Sequence, residues 1–180
     1  AETPLTSYYT FSNRFVLNDK VYFLSNYDEI LEAGGKALWE FNPATYTWSR
    51  KADFPGALRS GGVAFSLKGK GYFGGGYEYD KDVAGSAHQL YDWWIYDPTE
   101  DMWDKKKDIP VEITNSFFYF HSDTYGYVPE FNSHKEILRY DPDTDIWERL
   151  KGYPGDKILR NSCTVSYGND VYAFGGIYSG

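Results

Sequence analysis

A chain of 180 residues with 42% hydrophobic and 20% aromatic side chains carries enough apolar mass for one packed core, and its 24% charge and 18 glycines exclude disorder, collagen and coiled coil. Its 26 acids against 18 bases give a formal charge of -8, which repels phosphate backbones and anionic lipid heads, so nucleic acid is not an expected partner. No run approaches the roughly 18 consecutive apolar residues of a spanning helix, and the lone Cys163 excludes an intrachain disulfide and a multi-cysteine metal site.

The chain opens on Ala1-Glu2-Thr3-Pro4, with neither a basic n-region nor an apolar h-region, so it reads as soluble or as the mature part of an exported protein. Beyond that point one phrase recurs. Asn42-Pro43-Ala44-Thr45-Tyr46-Thr47-Trp48, Asp97-Pro98-Thr99-Glu100-Asp101-Met102-Trp103 and Asp141-Pro142-Asp143-Thr144-Asp145-Ile146-Trp147 each place proline five residues before tryptophan. Seven residues after each tryptophan stands a second proline, Pro55, Pro110 or Pro154.

A short aromatic segment precedes each phrase, and a pair of apolar stretches ending near Tyr22, Tyr72, Tyr127 and Tyr172 starts each unit. A period of about 45 to 50 residues built from short β-rich segments and Gly, Pro and Asx turns predicts four-stranded antiparallel units repeated radially. The Asx-Pro pair sets a tight turn, because proline fixes φ and the Asx side chain can accept from the backbone two residues on. The tryptophans are then expected to pack between neighbouring units. The extra length of the second unit falls in a predicted loop, Gly76 to Asp92.

These landmarks resemble the kelch repeat, whose units carry a glycine doublet after the second strand, then a tyrosine and a tryptophan. Phe73-Gly74-Gly75 and Phe174-Gly175-Gly176 match the doublet, and Tyr96 to Trp103 and Tyr140 to Trp147 match the aromatic pair. The first and third units depart from it, with Leu24-Ser25-Asn26 and Val128-Pro129-Glu130 in the doublet's place. The resemblance implies an all-β, kelch-type β-propeller of about three and a half four-stranded blades. The whole of 1–180 is one region, with blades at about 10–54, 56–109 and 111–153 and a partial blade at 155–180. A partial propeller leaves blade faces and a strand edge open, so the expected partners include the remaining blades of a longer chain or a second copy of this one.

Several motifs yield to the repeat. Gly69-Lys70-Gly71-Tyr72-Phe73-Gly74 matches a dinucleotide fingerprint in letters, but that motif opens a helix, and here a hairpin and a strand are predicted. Asp141, Asp143 and Asp145 copy the start of a calcium loop, yet Ile146 stands where its turn glycine belongs and Gly152 where its bidentate Glu belongs. His88, His121 and His134 fall in separate units without acidic or cysteine companions at ligand spacing. Copper oxidases that share the repeat need a cysteine cross-linked to a tyrosine, whereas Cys163 lies inside a predicted strand, where a buried thiol is expected. No cofactor and no metal are expected.

The resemblance also points to a site. In ligand-binding kelch domains the loop before each first strand presents arginine and serine towards a central pocket, which implies Arg59, Ser60, Asn115, Ser116, Arg160 and Asn161 as polar candidates. Tyr77, Tyr79 and Tyr91, on the long loop of the second unit, offer flat faces of the kind that sugar and peptide recognition both use. The function implied is a non-catalytic binding or scaffold module for a glycan or protein ligand. The Asp-Pro-x-Thr-x-x-Trp and Phe-Pro-Gly style resembles bacterial extracellular or cell-surface proteins, with the periplasm as the other compartment. The rival is a sugar mutarotase or isomerase, for which Glu112 and Asp156 lie in the right loops.

Overall fold

The computed structural model describes residues 13–24, 35–79, 86–113, 119–129, 136–151, 159–167 and 170–178, and among them every regular element is a β-strand. Blade 1 is an antiparallel sheet of β1 (Asn13–Leu17), β2 (Lys20–Leu24), β3 (Leu38–Asn42) and β4 (Thr47–Lys51), hydrogen-bonded in chain order. Blade 2 uses β5 (Val63–Leu67), β6 (Lys70–Gly74), β9 (Trp93–Asp97) and β10 (Met102–Lys106). Between its second and third strands stands a separate hairpin, β7 (Tyr77–Tyr79) with β8 (Ala87–Gln89).

Blade 3 is β11 (Phe120–His121), β12 (Gly126–Pro129), β13 (Ile137–Asp141) and β14 (Ile146–Leu150), and a final pair follows, β15 (Leu159–Tyr167) with β16 (Asp170–Tyr178). Cys163 lies within β15, opposite Phe174. The segment Gly76 to Asp92, expected as a loop, is thus partly a β-hairpin, because Tyr77 and Gln89 pair across it and carry the chain out of the blade and back.

Local chemistry accounts for the turns. Asn18 and Asp19 have φ of 50° and 61°, and Lys68 and Gly69 have 50° and 73°, the left-handed pair that closes a two-residue hairpin. At each Asx-Pro turn the carboxylate or amide oxygen accepts from the backbone two residues on: Ala44 N to Asn42, Thr99 N to Asp97 and Asp143 N to Asp141, all at 2.9 Å. Tyr46, Asp101 and Asp145 end these turns at φ of 54°, 51° and 54°, so the three turns share one conformation.

The blades are joined by a repeated clamp. Asp101 of blade 2 accepts from Ala52 N at 2.9 Å, and Trp103 donates its indole N–H to Ala52 O at 3.1 Å, so both backbone groups of one residue beyond β4 are held. Blade 3 repeats this on Lys107: Asp145 accepts from its N–H at 3.2 Å, and Trp147 donates to its carbonyl at 3.3 Å. The tyrosine hydroxyl of each blade, Tyr96 or Tyr140, donates to the same aspartate at 2.6 and 2.9 Å. Burial and these carboxylates both push the two phenols well above their ordinary range. Burial alone would raise the Asp101 carboxyl, but the bonds from Ala52 N and Tyr96 outweigh it and hold it below the usual carboxylate range.

Two buried clusters fill the joints. Phe15, Tyr22 and Leu38 of blade 1 meet Ala64, Phe73 and Tyr96 of blade 2, and Phe65, Tyr72 and Trp93 of blade 2 meet Val128, Leu138 and Tyr140 of blade 3. In each joint an aromatic ring lies on a glycine of the next blade: the Phe15 ring occupies the place of a Cβ on Gly71, and the Phe65 ring does so on Gly126. Gly71→Ala should therefore overpack the first joint and cost about 1–3 kcal/mol in urea unfolding. A loss below about 0.5 kcal/mol, the range of neutral surface changes, would show that the joint yields without strain.

Candidate functional site

The sheets bring the connections between second and third strands, and those that lead into first strands, to one end of the blades. There Ser60 pairs with Tyr77 in an isolated bridge, Ser60 N to Tyr77 O at 2.9 Å and Tyr77 N to Ser60 O at 3.0 Å. Leu90 N donates to Gly76 O at 2.9 Å and Gln89 Nε2 to Ile113 O at 2.9 Å, which pin the β7–β8 hairpin to its own blade and to the segment leading into blade 3. Gly75 and Gly76 supply φ of 66° and 81° at its base, where a Cβ on Gly76 would strike the Ser60 carbonyl at 2.6 Å.

The hairpin carries Glu78 and His88 exposed on its two strands. Below it Tyr91 is 39% exposed and its hydroxyl lies 3.5 Å from Glu112 Oε1, at the outer limit of a hydrogen bond. Tyr77 and Ser60 are half-buried. This rim is therefore aromatic and acidic, with flat faces next to hydrogen-bonding groups.

The arginine expected to serve the pocket is buried within blade 2. Arg59 is 3% exposed and its guanidinium makes a two-pronged pair with Asp92, NH1 and NH2 each at 2.6 Å from one carboxylate oxygen. Its remaining donors reach Ala57 O at 3.2 Å and Gly75 O at 3.0 Å, and the group lies over the rings of Phe54 and Phe73. Trp94 donates to the same carboxylate at 2.6 Å. Burial would raise the Asp92 carboxyl, yet Arg59 and Trp94 hold it below its ordinary range. Arg59 is thus held as a strut within blade 2, with four hydrogen bonds already made inside the fold.

Arg160 and Asn161, expected before a first strand, stand within β15, with Arg160 opposite Ile177. Their side chains, that of Tyr79 and the whole of Asn115 and Ser116 lie outside the described residues, as does Asp156. Of the polar and aromatic candidates, then, Ser60, Tyr77 and Tyr91 are brought together at one end of blade 2. Among the described residues no group of His, Cys, Asp and Glu could hold a metal ion, and none of the helices needed to cross a membrane occurs.

Arg14 is the residue the repeat did not single out. It is exposed on β1, and its charge reaches Tyr119, the residue preceding β11, favouring that phenolate while burial, the larger effect, pushes the phenol up. A basic side chain inside a strand otherwise read as apolar was the signal available for it.

No family model matches the chain. It is 27% identical over 139 residues to human Kelch-like protein 34, covering 75% of this chain and 21% of that protein, so it spans about a fifth of the relative's length. Among solved structures it superposes on that of YjhT with a TM-score of 0.75 at 19% identity, covering 96% of this chain and 59% of the other. With the recurring Asx-Pro turn, the glycine doublets and the four-stranded sheets, these likenesses support the fold of a partial kelch-type β-propeller.

Proposed function

We propose that the chain is a binding or scaffold module of an exported or cell-surface protein, taking a glycan or protein ligand at the blade end that carries the β7–β8 hairpin. The observation that supports this reading is the division of labour among its polar groups. Asp92, Asp101 and Asp145 are engaged in struts and clamps inside and between the blades, whereas the pinned hairpin exposes Glu78 and His88 above the partly exposed Tyr91. A hairpin inserted into one blade of a repeat is where recognition is added to a scaffold without disturbing its joints.

The expected result is binding to a glycan array or a displayed peptide library, with Tyr91→Ala weakening it about tenfold while the melting temperature is kept. Unchanged binding by Tyr91→Ala would move the site off this rim, and anomerisation of a free sugar by the chain would replace the reading with the mutarotase one.

A further inference from the structure

The joints between blades 1 and 2 and between blades 2 and 3 share one plan and differ at one place. In each, the unit tyrosine meets a tyrosine of the next blade, Tyr22 with Tyr96 at 5.7 Å and Tyr72 with Tyr140 at 5.6 Å between ring centroids. The second tyrosine of each pair donates to the clamp aspartate, Asp101 or Asp145. Across the sheet Tyr72 stands opposite Ile95, whereas Tyr22 stands opposite Glu40. Glu40 is 6% exposed, so the first joint holds a buried carboxylate where the second holds a hydrocarbon side chain.

Glu40 is neutralised from its own blade. Tyr22 donates to Oε2 at 2.6 Å and Lys20 Nζ to Oε1 at 2.8 Å, and Lys51 Nζ, on a side chain 21% exposed, lies 3.5 Å from Oε2. Blade 2 faces this group with Tyr96 and Asp101, and the Lys51 charge acts on Asp101 as well. The other strands of blade 2 packed on blade 1 add no further acid: β5 carries no titratable residue, and Lys70 of β6 is held by Asp97.

Burial, the largest influence, would raise the Glu40 carboxyl, but the bonds from Lys20 and Tyr22 and the nearby Lys51 outweigh it and hold it below its ordinary range. Its contribution to stability is therefore full above the unfolded value of 4.5 and is lost as pH falls through the folded one. A neutral Glu40 leaves the largely covered Lys51 ammonium without its counter-charge, and a buried ion deprived of its partner opposes folding strongly. Asp101, also held below the usual range, loses its charge in the same direction, which weakens its grip on Ala52 N.

We infer that the joint between blades 1 and 2 is an acid-opened hinge, in which a proton taken up on Glu40 frees blade 1 from blade 2 while blades 2 and 3 stay joined. The test is hydrogen exchange read by NMR on the 180-residue chain, stepped down from pH 6 to pH 3 and corrected for the intrinsic pH dependence of exchange. The Ala52 amide and the Trp103 indole N–H report the first joint, and the Lys107 amide and the Trp147 indole N–H report the second. Protection at the first pair should fall at least about tenfold further than at the second. Glu40→Gln, which fixes the neutral side chain, should show most of that loss already at pH 6. Both joints losing protection together, or Glu40→Gln as protected as wild type at pH 6, overturns the inference; should Glu40→Gln not fold, the wild-type comparison of the two joints still decides it.

Discussion

Arg59→Ala should destabilise the chain by about 3–5 kcal/mol, the cost of leaving one partner of a buried ion pair without the other. The Asp92 carboxylate keeps the Trp94 indole but loses both prongs of the guanidinium, and Gly75 O and Ala57 O lose their donor as well. Phe54 and Phe73 lose the flat cation that covers them at 4.8 and 5.4 Å. Arg59→Lys keeps the charge but not the fork, so it should recover part of the loss and not all of it.

The effect carries a pH signature. With Arg59 present the folded-state carboxyl of Asp92 is depressed, so its contribution is full above the unfolded value of about 4 and is lost as pH falls through the folded one. Without Arg59 the strongest group opposing burial is gone and only Trp94 and Lys105 act against it, so the folded carboxyl is expected to rise. The variant should then be least stable at neutral pH and regain stability relative to wild type as Asp92 takes up a proton on acidification. Urea unfolding of both proteins at pH 7 and pH 5 checks this, and a gap that stays constant between the two would show that the loss is packing and not charge.

What the sequence made legible followed from chemistry that is local. Asn42, Asp97 and Asp141 with their prolines announce turns whose hydrogen bonds reach two residues, and the structure places Trp48, Trp103 and Trp147 in equivalent register opposite Phe41, Tyr96 and Tyr140. The burial of Arg59 was not legible, because a charged residue before a first strand looks the same whether it faces water or a buried acid. Asp92 lies 33 residues away, and only the sheet brings the two together. The β7–β8 hairpin was hidden for a related reason: a three-residue strand has too little alternation to stand out from a loop rich in tyrosine and acid.

The tryptophan that holds most was likewise outside the recurring phrase. Trp93 precedes it, is fully buried, and binds blade 2 to blade 3 through Phe65 at 5.4 Å, Tyr140 at 5.7 Å and Trp147 at 5.3 Å, whereas Trp103 is half-buried at the first joint. Trp93→Ala should cost about 3–5 kcal/mol, since no described neighbour is free to collapse into a site ringed by four aromatic side chains. The indole N–H adds a second, opposite effect. It is buried and directed at the Tyr140 hydroxyl, whose phenolate it favours, but only through a hydrogen bond of poor geometry. A buried donor so poorly paired opposes folding by up to about 1–3 kcal/mol, so Trp93→Phe, which removes that donor and keeps an aromatic ring, should lose far less than Trp93→Ala. Equal losses in the two variants, measured by urea unfolding at pH 7, would show that the full indole area holds the joint and that its N–H is not a liability.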